Sequence, residues 1–202
     1  IDMLIKEKPY EFKNYMNNMH PSDIRDAKLL PEDDEFEIKN GCRIIISENA
    51  SVVTLTGVKD FADYLFTSMN VSVMILKGYQ NKGDIYIGTK DDLKVSLGEA
   101  DGYKGCKIYY DDALYICGNE DRGITSALYY LENVMSSRKA PYIPKKEISF
   151  KPDFSPRMLH SGFGLDYYPD EHLSPIAHAG RDASLVFVEG VDTAANNHKC
   201  DF

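Results

Sequence analysis

A chain of 202 residues, 43% hydrophobic and 27% charged, holds one large domain or one domain and part of another, and carries enough apolar residues to argue against wholesale disorder. Its net charge of −9, from 32 acidic against 23 basic residues with no Lys/Arg run, repels a phosphate backbone and an anionic lipid surface. Nucleic-acid binding and membrane adhesion are therefore disfavoured, and no apolar stretch reaches the ~18–20 residues that span a bilayer.

The first residue is Ile1, so the natural start is expected upstream and the compartment is left open, cytoplasmic or exported. Residues 1–36 read as a polar arm punctuated by Pro9, Pro21 and Pro31, with a short helix over Tyr10 to Met19 and an acidic cluster from Glu32 to Glu35. Cys42 to Ile46 is a β-branched run bounded by Gly41 and Asn49, which predicts a strand. From Thr54 to Met69, apolar residues at Leu55, Val58, Phe61, Ala62, Leu65, Phe66 and Met69 fall at helical spacing. Val71 to Leu76 and Asp84 to Gly88 predict two further strands, and Asp91 to Leu97 a short acidic helix. Gly105 to Tyr110 and Ala113 to Cys117, joined by Asp111-Asp112, predict a hairpin. After Gly118, Asn119 is the expected N-cap of a helix in which Ile124, Ala127, Leu128, Leu131 and Met135 recur on one side.

Both long helices carry a single apolar stripe, so they are expected on one face of a mixed sheet: an α+β domain over residues 37–150. Pro141 to Lys146 reads as a stiff connector, with Ile148 to Phe150 as a last strand. Over 151–202 the pattern changes to strand (Arg157 to Leu165), helix (Asp170 to Gly180) and apolar strand (Ala183 to Val188), the unit from which (β/α)8 barrels are built. One such unit cannot close a barrel, and the expectation is a TIM barrel that breaks off early.

The stretch from Gly118-Asn119-Glu120-Asp121-Arg122-Gly123-Ile124 into Ala127 to Glu132 resembles the last helix of the accessory domain that precedes the barrel in family 20 glycoside hydrolases, the β-N-acetylhexosaminidases. Related domains precede the barrels of α-glucuronidases and O-GlcNAc-type hexosaminidases. The proline linker Pro141 to Pro144 and the Pro156-Arg157 lead-in to the first barrel strand extend the resemblance over roughly residues 40–190. It implies a parent protein that hydrolyses glycosidic bonds in a carbohydrate substrate. It also implies an accessory domain that packs on its own barrel, and catalytic carboxylates on a later strand beyond Phe202. On this reading the chain alone is the non-catalytic N-terminal portion. One departure bears on substrate: Ser161-Gly162-Phe163-Gly164-Leu165-Asp166 matches the family's Arg-Gly-x-x-Leu-Asp, with Ser161 where the sugar-gripping Arg stands.

Barrel enzymes place functional groups at the C-terminal ends of their strands. That rule nominates His160, Asp166 and Glu189 as substrate-binding residues, each with a competing reading as a loop or packing residue. His160, His172, His178, His198 and Cys200 fit no ligand spacing, so no metal and no cofactor is expected. Cys42, Cys106 and Cys117 lie in strand-like runs as expected buried thiols, without a CxxC pair. Arg122 is expected to serve in a salt bridge or cap. Tyr103, Tyr109, Tyr110 and Tyr115 offer sugar stacking or, on alternation, sheet packing or a domain interface. Two alternatives to the hydrolase stay open: a carbohydrate- or protein-binding module, and a degenerate barrel that binds sugar without cleaving it.

Overall fold

The computed structural model describes residues 20–22, 24–153, 158–161 and 183–186, the last two segments as backbone strands. The expected helices over Tyr10 to Met19 and Asp170 to Gly180 lie outside the described residues. Residues 22–155 form one compact unit.

That unit is built on a six-stranded sheet. Its strands are β2 (Cys42–Ile46), β3 (Val73–Lys77), β4 (Ile85–Thr89), β5 (Cys106–Tyr110), β6 (Leu114–Gly118) and β8 (Ile148–Phe150), in the order β3-β2-β4-β6-β5-β8. β3, β2, β4 and β6 run parallel, and β5 is antiparallel to β6 and to β8. The sheet is thus mixed, as the alternation of strands and helices predicted. β1 (Glu35–Glu37) and β7 (Tyr142–Pro144) form a separate antiparallel pair.

Both long helices, α1 (Val52–Met69) and α3 (Asp121–Arg138), cover the same face of the sheet. Ile44, Ile46, Ile85, Ile87, Ile108 and Ile116 point from alternate strand positions into this layer. From the helices, Val58, Phe61, Leu65, Met69, Leu128, Leu131 and Met135 meet them with no exposed surface. Each such side chain contributes about 1.5–3 kcal/mol of transfer free energy. The two helices also join through polar groups: Tyr64 donates to the Glu132 carbonyl at 2.9 Å and shares a 2.7 Å hydrogen bond with Ser136.

Helix ends are fixed by local chemistry. Ser51 caps α1, its hydroxyl accepting from the Thr54 N–H at 3.1 Å. Asn70 closes the same helix in the left-handed region, at φ 54°. The short helix α2 (Lys90–Leu93) carries a full capping box between Thr89 and Asp92. It is followed by a 3-10 turn at Gly98–Ala100, so the predicted helix over Asp91 to Leu97 resolves into two shorter pieces. Leu97 and Ala100, with Leu93 and Val95, cover Cys117 on the other face of the sheet.

At the start of α3 the structure corrects the cap assignment. Glu120, not Asn119, is the N-cap. The Asn119 N–H is bound to the Gly105 carbonyl at 2.8 Å, and the Glu120 carboxylate accepts from the Lys104 N–H at 2.6 Å. Both residues thus stitch the helix start to the loop before β5. The backbones here lie so close that a Cβ on Gly118 would stand 2.5 Å from the Ile124 nitrogen, and one on Gly123 would collide with the Gly105 carbonyl oxygen. This contact explains why glycine flanks the Asn119 to Arg122 motif on both sides.

The segment from Ile24 to Ile38 is strapped across the C-terminal ends of both helices. Arg25 donates to the Met69 carbonyl at 2.6 Å, and the Asp26 N–H donates to the Lys139 carbonyl at 2.8 Å. Arg138 grips Glu35 through two hydrogen bonds of 2.8 and 3.2 Å. The stretch read from sequence as a proline connector is therefore the strand β7, which holds the strap in place through β1.

In the second unit, β9 (Met158–Ser161) and β10 (Ala183–Val186) pair in parallel, with Leu185 opposite His160 and Val186 opposite Ser161.

Candidate functional site

Three places follow from the nominations above and from the shape of the domain. The first is the C-terminal end of the β9–β10 pair. His160 lies on β9, one residue before the strand's end. Asp166 and Glu189 follow the two paired strands in the chain and lie outside the described residues, as does the side chain of His160.

The second is the tyrosine-rich sheet face. Tyr86, Tyr115 and Tyr109 occupy one cross-strand row on β4, β6 and β5. Their rings stack at 5.2 and 4.9 Å between centroids, with planes 13° and 5° apart. Stacked this way, the rings cover one another's faces, and the Lys107 ammonium sits 5.7 Å from the Tyr109 ring centre. Tyr115 also donates to Asp112 at 2.8 Å, within the hairpin turn. The rings of this row pack on one another within the sheet. Tyr103 is exposed and accepts a hydrogen bond from Arg122 at 3.1 Å.

The third is a groove of about 640 Å3 between the strap and the sheet. It runs past Phe36, Asn40 and Gly41 to Asp84, Tyr110 and Lys145. Phe36 and Tyr110 lie 5.6 Å apart with their planes tilted by 41°. Lys145 extends over the Tyr110 ring at 5.4 Å and donates to the Asp33 carbonyl. Its carboxylates are held by nearby cations. Arg138 hydrogen bonds hold the Glu35 carboxyl below its ordinary range, outweighing burial. At Asp84, burial pushes upward, but hydrogen bonds from the Arg43 backbone and guanidinium reverse the sign and leave the carboxyl lowered. Lys39 stands 3.4 Å from Glu37. The Glu32–Glu35 cluster was visible in the sequence. Its meeting with Asp84 and Tyr110 was not, because only the β1–β7 pairing brings these distant segments together.

Elsewhere in the domain several acidic groups have structural posts. Asp121 accepts from Thr54 at 2.7 Å, Asp92 closes the α2 capping box, and Asp101 pairs with Lys90 at 2.7 Å. Cys42, Cys106 and Cys117 are free and buried. Burial raises their thiols to about 12, about 12 and about 11, which leaves them protonated and unreactive at neutral pH. Among the described residues no group of three His, Cys, Asp or Glu side chains could hold a metal ion, and no helix is long and apolar enough to cross a membrane.

No family model matches the chain, and no curated protein matches it. Solved structures do. The β-hexosaminidase of Streptomyces plicatus superposes with a TM-score of 0.59 at 12% identity, covering 81% of this chain and 32% of that one. The family 20 β-N-acetylhexosaminidase of Streptomyces coelicolor gives 0.59 at 11% identity, covering 81% and 33%. A family 115 4-O-methyl-α-glucuronidase with specificity for decorated arabinogalactans gives 0.58 at 13% identity, covering 75% and 25%. The chain thus spans a quarter to a third of the length of these three structures. At such identities the likeness is one of fold: this chain shares its α+β architecture with part of the family 20 hexosaminidases and of the family 115 glucuronidase.

Proposed function

We propose that residues 22–155 form the non-catalytic accessory domain of a glycoside hydrolase, and that β9 and β10 open the (β/α)8 barrel that carries its chemistry. The observation that carries this reading is the parallel β9–β10 pair directly after a domain whose fold recurs in glycoside hydrolases. The structural posts held by the carboxylates of the accessory domain support a supporting role for it: packing on its own barrel and stabilising it.

In this scheme His160, Asp166 and Glu189 meet sugar hydroxyls at the C-terminal ends of the first two barrel strands. The carboxylate pair that protonates and attacks the glycosidic bond, or the single carboxylate assisted by a substrate acetamide, comes from later strands. In the full-length protein, Asp166→Asn and Glu189→Gln then raise KM for an aryl glycoside. If both variants keep wild-type KM and kcat, the assigned binding roles are wrong.

Ser161 favours a second reading. The family's Arg at this position grips sugar hydroxyls, and its replacement fits a barrel that binds sugar without cleaving it. Saturable binding of an oligosaccharide by the full-length protein with no release of reducing ends would select this reading over hydrolysis.

A further inference from the structure

We propose that Asn40-Gly41 is a site of covalent self-modification, deamidation to aspartate and isoaspartate, which the folded domain holds shut and unfolding releases. This is independent of the hydrolase reading, since it concerns only the backbone chemistry of the domain itself.

Asn40-Gly41 is the one Asn-Gly pair in the chain, and both residues are exposed in the turn that leads into β2. The Cys42 N–H closes that turn on the Lys39 carbonyl at 3.0 Å. Gly41 takes φ +81°, the left-handed value that the third position of a type II turn requires. Nothing lies within 4 Å of where a Cβ on Gly41 would stand, so the turn is open to water on that side.

An asparagine carboxamide closes most readily on the next peptide nitrogen when that residue is glycine, which has no Cβ to obstruct the ring. The Gly41 nitrogen gives its proton to solvent base and attacks Cγ of Asn40. The N–Cγ bond forms, the Cγ–Nδ2 bond breaks, and Nδ2 leaves as ammonia. Water then adds to either carbonyl of the cyclic imide. One opening gives aspartate; the other gives isoaspartate, in which the main chain runs through the former side chain. Water is the only co-reactant, and nothing is oxidised or reduced.

In the fold both reacting groups are committed to Ser72, just before β3. The Gly41 N–H donates to the Ser72 carbonyl at 2.8 Å, and Asn40 Oδ1 accepts from the Ser72 N–H at 2.8 Å. The first bond retains the proton that the nitrogen must lose. The second ties down the carboxamide that must swing onto that nitrogen. Breaking both lowers the reactive population by about thirtyfold. Isoaspartate adds a methylene to the main chain before Gly41 and shortens the side chain. It cannot restore both bonds, so an aged chain does not rebuild this corner between β2 and β3.

The test is peptide mapping by mass spectrometry of the 202-residue chain aged at mildly alkaline pH, in buffer and in guanidinium chloride, with isoaspartate read by methyltransferase labelling. In denaturant the peptide holding Asn40 converts ahead of the other asparagine peptides, mostly to isoaspartate. In buffer its conversion is slower by about thirtyfold. Ser72→Pro removes the donor to Asn40 Oδ1 at the entry to an edge strand, where proline is tolerated, and speeds conversion in buffer severalfold. If that variant fails to fold, hydrogen exchange on the wild-type chain decides: the Gly41 and Ser72 amides are protected about as strongly as deamidation is slowed. The proposal is overturned if Asn40 stays intact in denaturant, or converts as fast in buffer as in denaturant. A folded Ser72→Pro variant whose conversion is unchanged or slower overturns it equally, as do Gly41 and Ser72 amides that exchange at the unfolded rate.

Discussion

Replacing Gly123 by Ala tests the account of the helix motif. On an exposed helix this change stabilises by about 1 kcal/mol, because glycine is the poorer helix former. Here the new methyl meets the Gly105 carbonyl oxygen, a backbone atom that cannot rotate away. Separation forces overpacking of about 1–3 kcal/mol and weakens the 2.8 Å bond from the Asn119 N–H to that carbonyl, by about 1 kcal/mol. The opposing contributions leave a net loss of about 2 kcal/mol, which lowers the urea midpoint by about 1 M. The comparison is Gly98→Ala, where φ is +58° and no atom lies within 4 Å of the Cβ position. That variant loses about 1 kcal/mol through backbone strain alone. Urea unfolding of the 202-residue chain followed at 222 nm reads both. A Gly123→Ala midpoint equal to or above wild type would refute the close-approach argument.

Glu35→Gln lowers stability at pH 7, because the strap loses its charge-paired contact to Arg138. The folded-state pKa of Glu35 is lowered, so its contribution is present above the unfolded carboxylate value of about 4.3 and disappears as pH falls through the folded value. The urea midpoints of wild type and variant therefore converge in acid; a gap that stays constant from pH 7 to pH 3 would contradict this. Cys42, Cys106 and Cys117 are not labelled by a thiol reagent at pH 8 in the native chain and become labelled in urea, as mapped by mass spectrometry. Labelling of any of the three in the folded protein would show that its strand opens locally.

The parts of the fold legible in the sequence are those whose neighbours in space are also neighbours in sequence. The run Ile44-Ile45-Ile46 and the pair Ile85 and Ile87 announce strands through β-branched residues. Val58, Phe61, Leu65 and Met69 announce a helix through their period. The order of strands and helices, and the two helices on one face, follow from these stripes. β1 and β7 escaped because each is three residues long and they pair across more than a hundred positions, leaving no local period to read. Pro144 helped to conceal β7: proline suits the edge of a two-stranded pair as well as it suits a linker. Asn119 was a sound cap candidate on residue type, but its side-chain oxygen caps no helix N–H, and the helix begins one residue later with Glu120 as N-cap.

The candidate sites divide in the same way. The rule that barrel function gathers at strand ends reached His160, Asp166 and Glu189 from sequence alone, since it needs only the positions of the strands. The groove required the fold. Phe36, Asp84, Tyr110 and Lys145 belong to four separate segments, and nothing in the spacing of their residues foretells their meeting.

The central claim is that the described unit accompanies a glycosidase barrel without doing its chemistry. Release of 4-nitrophenol from a panel of aryl β- and α-glycosides, measured on the full-length protein and on the 202-residue chain in parallel, tests it most directly. The account predicts turnover by the full-length protein on at least one glycoside and none by the 202-residue chain. Turnover by the 202-residue chain itself, or its absence from the full-length protein across the whole panel, would contradict it.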